Sequence, residues 1–78
     1  MTTTPRTLAL FGATGKTGQQ VLTHALDAGH SVRALARRPE AITLSNDRLV
    51  VVQGDVLDAA AVRETVDGTD AVVSVFGQ

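Results

Sequence analysis

Short apolar runs alternate with helical patterns along the chain, and glycines lie at the junctions between them. Four runs are predominantly apolar and end close to a turn-forming residue, which is typical of buried strands. The predicted strands are Thr7–Phe11, Ser31–Ala36, Leu49–Gln53 and Ala71–Phe76. Pro39 prevents the second strand from continuing, and the segment Glu40–Leu44 has room for a single helical turn.

Two segments between these runs have helical spacing. The first predicted helix begins at Thr17 and ends before Gly29, which occupies a C-terminal capping position. Its apolar stripe is formed by Val21, Leu22, Ala25 and Leu26. The second begins after Asp58, a good N-cap, and runs to Val66 before Gly68 ends it. Its predicted inward-facing residues are Ala59, Val62 and Val66.

The order of elements is therefore β-α-β-β-α-β, with a short connection between the second and third strands. Strands that are continuously apolar, rather than alternating, are covered on both faces, which indicates a parallel sheet with helical crossovers. We predict an α/β fold: a Rossmann-like, three-layer parallel sheet with strand order 3-2-1-4, forming an incomplete doubly wound domain. Residues 1–78 form its N-terminal part, and residues 1–5 are expected to be a flexible tail.

Composition excludes several functional classes. At 44% hydrophobic residues, the chain is too apolar for a disordered protein. It has no cysteine, which excludes disulfides and thiol chemistry and favours a cytoplasmic location. It has no tyrosine or tryptophan on which nucleic-acid bases could stack, so no nucleic-acid partner is expected. Uninterrupted apolar runs such as Leu49–Val52 are too short for a membrane helix. His24 and His30 lack ligand-like partners, so no metal site is predicted.

Charge is distributed unevenly although the net charge is only −1. Residues 1–38 contain five basic residues and one acidic residue, whereas residues 39–78 contain two basic and seven acidic residues. This polarity suits a local anion site better than a nucleic-acid surface, which requires a wider basic face.

A glycine-rich loop connects the first strand to the first helix and carries the clearest chemical signal. Residues 12–18 read GATGKTG. Gly12 lets the chain leave the strand sharply, Gly15 allows the backbone to approach a pyrophosphate, and Gly18 lets the helix lie close to the strand. The pyrophosphate would then meet the free N–H groups at the helix N-terminus. The alternative, a tight turn without a ligand, leaves Gly15 and the two threonine hydroxyls unexplained. The candidate cofactor-binding residues of this loop are Gly12, Thr14, Gly15, Lys16, Thr17 and Gly18.

Arg37 and Arg38 follow the second strand, where an NAD-binding domain carries an acidic residue for the ribose 2′-hydroxyl. The first carboxylate after the strand is Glu40. Two guanidinium groups match a 2′-phosphate through charge-assisted hydrogen bonds, so we predict NADP(H) rather than NAD(H) as the cofactor. The alternative is that one or both arginines are solvated loop charges.

The ends of the third and fourth strands supply further candidates. Asp55 can accept a hydrogen bond from the exocyclic amine of adenine, with Val56 against the ring, or it can cap the turn that follows. Gly77 would permit a close approach of the cofactor's middle part, and Phe76 could equally be part of the core.

These motifs together resemble the start of an atypical short-chain dehydrogenase/reductase. Within that superfamily, the chain is similar to the NAD(P)H-binding group that includes flavin reductase/biliverdin reductase B and the NmrA-like proteins. The segments that carry the resemblance are Leu8–Gly18, Val32–Arg38, Val51–Val56 and Asp70–Gly77. The resemblance implies that the glycine loop lines the phosphates and that Arg37 and Arg38 bind the 2′-phosphate. It also implies that Asp55 and Val56 contact the adenine, and that Phe76 and Gly77 contact the adjacent ribose.

The resemblance also implies a function: binding of NADP(H) by an oxidoreductase that transfers hydride to a small organic or flavin- or quinone-type acceptor. Members of the group continue past the fourth strand, so a small-molecule substrate is expected only if the chain continues. No catalytic residue is assigned, because the chain has no tyrosine and its single lysine is Lys16. A non-catalytic, NmrA-like dinucleotide sensor is the main alternative.

A P-loop nucleotide hydrolase is a second alternative, since residues 15–17 match the end of that motif. The residue at the position of its first glycine is Leu10, so the loop is too tight to wrap a β-phosphate. A last expectation concerns the fourth strand, whose flat, uncharged edge favours self-association of the chain.

Overall fold

The computed structural model describes residues 5–75, which form a single parallel sheet flanked by two helices. The strands are β1 (Thr7–Phe11), β2 (Ser31–Ala36), β3 (Leu49–Gln53) and β4 (Ala71–Ser74). The helices are α1 (Lys16–Asp27) and α2 (Ala59–Val66), and a short 3₁₀ helix covers Pro39–Ala41. The first three strands have the predicted bounds. β4 ends at Ser74, and the predicted strand residue Phe76 lies outside the described residues.

The strand order is β3-β2-β1-β4, with every neighbouring pair parallel, as predicted. Leu10 of β1 pairs with Ala34 on one side and with Val73 on the other. In this order the carboxyl ends of β1, β2 and β3 lie side by side. The loops that follow these three strands therefore meet at one edge of the sheet, which is where a doubly wound fold places its ligand.

Alternate residues of the central strands serve two separate hydrophobic cores. Leu10 and Ala34 face α1, whereas Phe11 and Leu35 face α2. Both faces of β1 and β2 are thus buried, which explains why their sequences are continuously apolar. The α1 core contains Leu10, Ala13, Leu22, Leu26, Val32 and Ala34, and the α2 core contains Ala9, Phe11, Leu35, Val52 and Ala61.

The inward face of α2 differs in part from the prediction. Ala61 and Thr65 are buried, and Val62 and Val66 pack against the same core, but Ala59 is exposed. The prediction for Ala59 is therefore wrong, because the buried stripe has the i, i+1, i+4, i+5 spacing already seen in α1 and Ala59 falls outside it. Thr65 can be buried because its hydroxyl donates to the carbonyl oxygen of Ala61 at 2.7 Å.

An arginine side chain from another part of the chain caps the C-terminal end of each helix. Arg48, just before β3, donates to the carbonyl oxygen of Leu26 at 2.6 Å, and Gly29 follows α1 with a φ of +92°. Arg33 of β2 donates to the carbonyl oxygens of Glu64 and Asp67 at 2.9 and 2.5 Å. A cation at a helix C-terminus satisfies unpaired carbonyls and opposes the negative end of the helix dipole. Two of the basic residues counted in the sequence therefore have structural partners.

None of the helices within residues 5–75 has the length and apolar character needed to cross a lipid bilayer.

Candidate functional site

A cleft of about 560 Å³ lies at the carboxyl ends of β1, β2 and β3. It brings together residues from all three loops that follow these strands: Gly12 and Thr14, then Arg37, then Asp55 and Val56. Its complete lining is Phe11, Gly12, Thr14, Leu35, Ala36, Arg37, Gly54, Asp55, Val56 and Leu57. Residues separated by more than 40 positions in the chain thus share one surface, at the edge where the fold predicts a ligand.

A second cleft of about 440 Å³ adjoins the first and is lined by Thr14, Arg37, Arg38 and Ala41. The two clefts share Thr14 and Arg37. The guanidinium groups predicted to bind a 2′-phosphate therefore lie beside the glycine loop. An anion bound in the second cleft would contact two positive charges, and the remainder of the same molecule could extend into the first cleft.

The conformation of the glycine loop is determined by contacts with the rest of the domain. Gly12 has a φ of +89°, which β-carbon sterics disfavour for other residues, and a Cβ there would collide with the carbonyl group of Val75. The next residue, Ala13, is buried in the α1 core. The Gly15 amide donates to the Gly12 carbonyl oxygen at 3.3 Å, which closes the turn. The loop therefore packs between the residue that follows β4 and the core beneath α1.

Gly18 and Gly15 differ in what they require. A Cβ on Gly18 would overlap the carbonyl oxygen of Gly12 and lie 2.9 Å from the Cα of Ala13, so the packing of α1 on the loop excludes any larger residue. Gly15 has a φ of −75°, which any residue can adopt, and a Cβ there would meet only the Gly12 carbonyl oxygen, at 3.7 Å. Among the described residues nothing requires glycine at position 15. A ligand that approaches the backbone does require it.

The N-terminus of α1 presents unpaired backbone amides next to Gly15. Gly15 is the N-cap and contributes no side chain, and the first helical hydrogen bond runs from the Gln19 amide to the Gly15 carbonyl oxygen. Within residues 5–75, no backbone or side-chain acceptor is bonded to the amides of residues 16–18. Unpaired amides at the positive end of a helix dipole are suited to binding phosphate oxygens.

Gln19 is a site residue that sequence reasoning missed. Its side-chain amide donates to the carbonyl oxygen of Thr14 at 3.0 Å and so fixes the tip of the glycine loop. No local signal marks this role, because Gln19 lies on an exposed helical face where polar residues are expected.

Four of the six loop candidates line neither cleft, namely Gly15, Lys16, Thr17 and Gly18. Lys16 lies in a separate surface groove with Gln19 and Thr23, and Thr17 lies in another groove with Leu8 and Val21. The Lys16 and Thr17 side chains therefore lie in grooves along α1 that share Gln20 and His24 and are separate from the clefts. A role of the Lys16 or Thr17 side chain in cofactor binding stays a prediction.

Asp55 performs the turn-capping role that the sequence left open. Its Oδ1 accepts from the Leu57 amide at 3.0 Å, and its carbonyl oxygen accepts from the Asp58 amide at 2.9 Å. The other carboxylate oxygen, Oδ2, lies 3.8 Å from Nη1 of Arg37. Asp55 thus links the loop after β3 to the loop after β2, and it lines the first cleft.

The turn after β3 also supplies an apolar wall. Val56 and Leu57 both line the first cleft and are 50% and 90% exposed. Leu57 was not predicted as a site residue, although its position directly after a candidate adenine residue, Val56, was a usable signal in the sequence. Exposed apolar side chains in a cleft provide a surface for a flat ring. The remaining candidates, Phe76 and Gly77, lie outside the described residues. In the part of the chain that the structure describes, no group of three metal-ligating side chains occurs.

A protein-family model described as NAD(P)H-binding matches residues 12–78, which is most of the chain. The chain belongs to this NAD(P)H-binding family. The assignment decides between the two phosphate-loop interpretations in favour of a nicotinamide dinucleotide and against a P-loop hydrolase.

Relatives of this NAD(P)H-binding chain include reductases and dehydrogenases. It is 47% identical over 68 residues to the (4-alkanoyl-5-oxo-2,5-dihydrofuran-3-yl)methyl phosphate reductase of Streptomyces griseus, covering 87% of this chain and 24% of that protein. It is 42% identical over 71 residues to the NAD-dependent glucose-6-phosphate dehydrogenase of Haloferax volcanii, covering 87% of this chain and 27% of that protein. The chain therefore spans about a quarter of the length of these curated relatives.

Solved structures confirm the fold. A candidate epimerase from Bacteroides thetaiotaomicron superposes with a TM-score of 0.83 at 38% identity, covering 95% of this chain and 34% of that one. Short-chain dehydrogenases/reductases are also among the structural neighbours. The Rossmann-like fold and the resemblance to the short-chain dehydrogenase/reductase superfamily are both confirmed.

Proposed function

We propose that this chain binds NADP(H) in preference to NAD(H), with the adenosine half of the cofactor in the clefts at the carboxyl ends of β1, β2 and β3. The pyrophosphate would be held by the backbone amides at the start of α1, and the 2′-phosphate by Arg37 and Arg38. Asp55 and Val56 would contact the adenine. Phe76 and Gly77 would contact the adjacent ribose.

The observation that carries this proposal is the second cleft, in which Arg37 and Arg38 lie beside Thr14 of the glycine loop. Two positive charges at this point match a phosphate monoester, which carries close to two negative charges at neutral pH. Glu40, the nearest carboxylate after β2 in sequence, is exposed in the 3₁₀ helix and is absent from the lining of both clefts. Recognition of an unphosphorylated ribose would instead require a hydrogen-bond acceptor, such as a carboxylate, at this point.

Glycine at position 15 supports the dinucleotide itself. Its φ and its open surroundings would tolerate a larger residue, so its small size is useful only to a ligand that approaches the backbone. When bound, the cofactor supplies or accepts a hydride at its nicotinamide ring. The residues of this chain would bind and orient it.

Family membership alone does not select between the two cofactors, since the Haloferax relative is NAD-dependent. The choice rests on the residues after β2. We further propose that the protein is an oxidoreductase that transfers hydride between NADP(H) and a small organic or flavin- or quinone-type acceptor. The Streptomyces relative, a reductase of a small phosphorylated lactone-type substrate, supports an acceptor of modest size.

Calorimetric titration of the protein with NADPH and with NADH tests the cofactor preference. We expect tighter binding of NADPH, and loss of this preference in the Arg37→Ala/Arg38→Ala variant. Each charged hydrogen bond lost costs about 1.5–3 kcal/mol. Arg63→Ala is the matched control, because Arg63 is exposed on α2 and lines neither cleft. Equal affinities of the unmodified protein for the two cofactors would contradict the proposal.

A non-catalytic dinucleotide sensor is the second candidate, because both clefts are built from residues that would bind the cofactor and neither contains an assigned hydride-transfer residue. Oxidation of NADPH in the presence of flavin or quinone acceptors distinguishes the two candidates. Turnover supports the oxidoreductase, and tight binding without turnover supports the sensor.

A further inference from the structure

Arg37 and Asp55 form an ion pair within the proposed cofactor site. The Nη1 atom of Arg37 lies 3.8 Å from Oδ2 of Asp55, and both residues line the first cleft. This is the one side-chain ion pair among the described residues. It connects the loop after β2, which would hold the 2′-phosphate, with the loop after β3, which would hold the adenine.

The two partners differ in the contacts that hold them. The Asp55 carboxylate is anchored because its other oxygen accepts from the Leu57 amide at 3.0 Å. The Arg37 side chain is 80% exposed and is held by this ion pair alone among the described residues. A fixed anion therefore faces a cation that can turn toward another acceptor. Arg38 has no such partner among residues 5–75, although it lines the adjoining cleft.

We propose that Asp55 is a specificity-determining residue that limits the preference for NADPH by competing with the 2′-phosphate for Arg37. This inference rests on the proposed function. NADPH would have to take Arg37 from Asp55 and would place a phosphate near a fixed carboxylate, which repels it. With NADH bound, Arg37 remains paired with Asp55 and keeps its partner. Asp55 thereby disfavours NADPH and leaves NADH binding possible.

The pair is exposed, so its effect is moderate. Exposed ion pairs contribute little individually and are weakened by salt. We therefore expect Asp55 to change the ratio of the two affinities by roughly twofold to fivefold at low ionic strength, and by less at high salt. Arg38 would continue to bind the 2′-phosphate in either case.

Asp55→Asn is the sharpest test, because it removes the charge while keeping an oxygen that can accept from the Leu57 amide. Calorimetry at low salt should show NADPH binding strengthened by about twofold to fivefold, with NADH binding unchanged or weaker. The effect should shrink when the titration is repeated at about 0.5 M salt, because the Debye length then falls to about 4 Å. Asp58→Asn is the matched control, since Asp58 caps α2 and lines neither cleft. Asp55→Ser retains a turn-forming acceptor and is the second variant if Asp55→Asn does not fold.

The double variant Arg37→Ala/Asp55→Asn identifies the partner. If Asp55 acts through Arg37, removing its charge in the Arg37→Ala background should change the affinity ratio much less than in the unmodified protein. The same loss of affinity for both cofactors in Asp55→Asn would overturn the inference, because it would indicate an adenine or turn role alone. An unchanged ratio would overturn it as well. The two proposals can also fail separately. If the unmodified protein shows no preference for NADPH, the proposed cofactor preference is contradicted. If Asp55→Asn still shifts the ratio of the two affinities toward NADPH, the inference about Asp55 is retained.

Discussion

The carbonyl oxygen of Gly12 occupies the space that a Cβ on Gly18 would fill. This contact presses the first turn of α1 against the loop that leaves β1, and it places the free amides of that turn beside Gly15. The spacing of glycines along the loop therefore has two separate causes. Gly12 and Gly18 are required by the fold, and Gly15 is required only if a ligand approaches the backbone.

Gly18→Ala should destabilise the protein. Glycine to alanine normally stabilises a helix interior by about 0.5–1 kcal/mol, but here the added Cβ has to displace the loop backbone. Overpacking of this kind typically costs about 1–3 kcal/mol. Urea denaturation followed by circular dichroism measures the change. An increase in the free energy of unfolding would show that α1 can move away from the loop without loss.

Gly15→Val should leave the fold intact and abolish dinucleotide binding. The backbone at Gly15 is extended and its surroundings are open, so the cost is limited to a poorer helix cap, about 0.5–1 kcal/mol. The branched side chain would occupy the surface that the pyrophosphate needs. We expect at least a tenfold loss of NADPH affinity by calorimetry, since that corresponds to only about 1.4 kcal/mol. Unaltered affinity would mean that the loop is only a turn.

Arg33→Met should weaken the C-terminal end of α2. The guanidinium of Arg33 donates to the carbonyl oxygens of Glu64 and Asp67, and the substitution leaves both without this donor. Hydrogen bonds from a charged donor contribute about 1.5–3 kcal/mol, so the free energy of unfolding should fall by about that amount. Arg63→Met changes the same residue type on the exposed face of α2 and should have little effect. Equal stabilities of the two variants would show that Arg33 is not a helix cap.

The chain of residues 1–78 should self-associate through β4. Within the described residues β4 pairs with β1 alone, and Val72 is 53% exposed on a strand without charged residues. A free, uncharged edge exposes unpaired N–H and C=O groups that another copy can bond. Sedimentation at micromolar concentration should show dimers or larger species, and Val72→Lys should shift the population to monomer.

Val50→Lys provides the comparison for the other edge, since Val50 is an exposed residue of β3. It should leave the association unchanged. A monomeric unmodified chain, or association abolished by Val50→Lys and not by Val72→Lys, would show that β4 is not the contact.

Local sequence patterns were sufficient to predict the elements and their order. The first three strands have the predicted bounds, and Asp58 accepts from the amides of Ala60 and Ala61 as the expected N-cap of α2. These features depend on residues close together in the chain, such as an apolar run or a capping side chain. The start of α1 was misplaced by one residue, at Thr17 rather than Lys16, because frayed helix ends carry weak signals.

The grouping of the candidate residues at one edge also followed from the sequence, because parallel strands bring their carboxyl ends together. The directions of the side chains did not. Lys16 belongs to the glycine motif by sequence, yet the rotation of α1 about its axis turns its side chain into a separate groove. Ala59 was assigned to the core for a similar reason: two helical phases were compatible with so short a segment, and packing on the sheet selected one.

Local periodicity and residue type were therefore enough to predict the class of fold, the parallel strand order and the chemistry of the loops. Which charges are free depends instead on tertiary contacts. Arg33 and Arg48 are engaged by the ends of α2 and α1, and Arg37 is paired with Asp55, whereas Arg38 lies in the second cleft. These partners are 18 or more residues apart in the chain, and they meet because sheet register and helix packing bring them together. Charge counting along a sequence contains no information about that register.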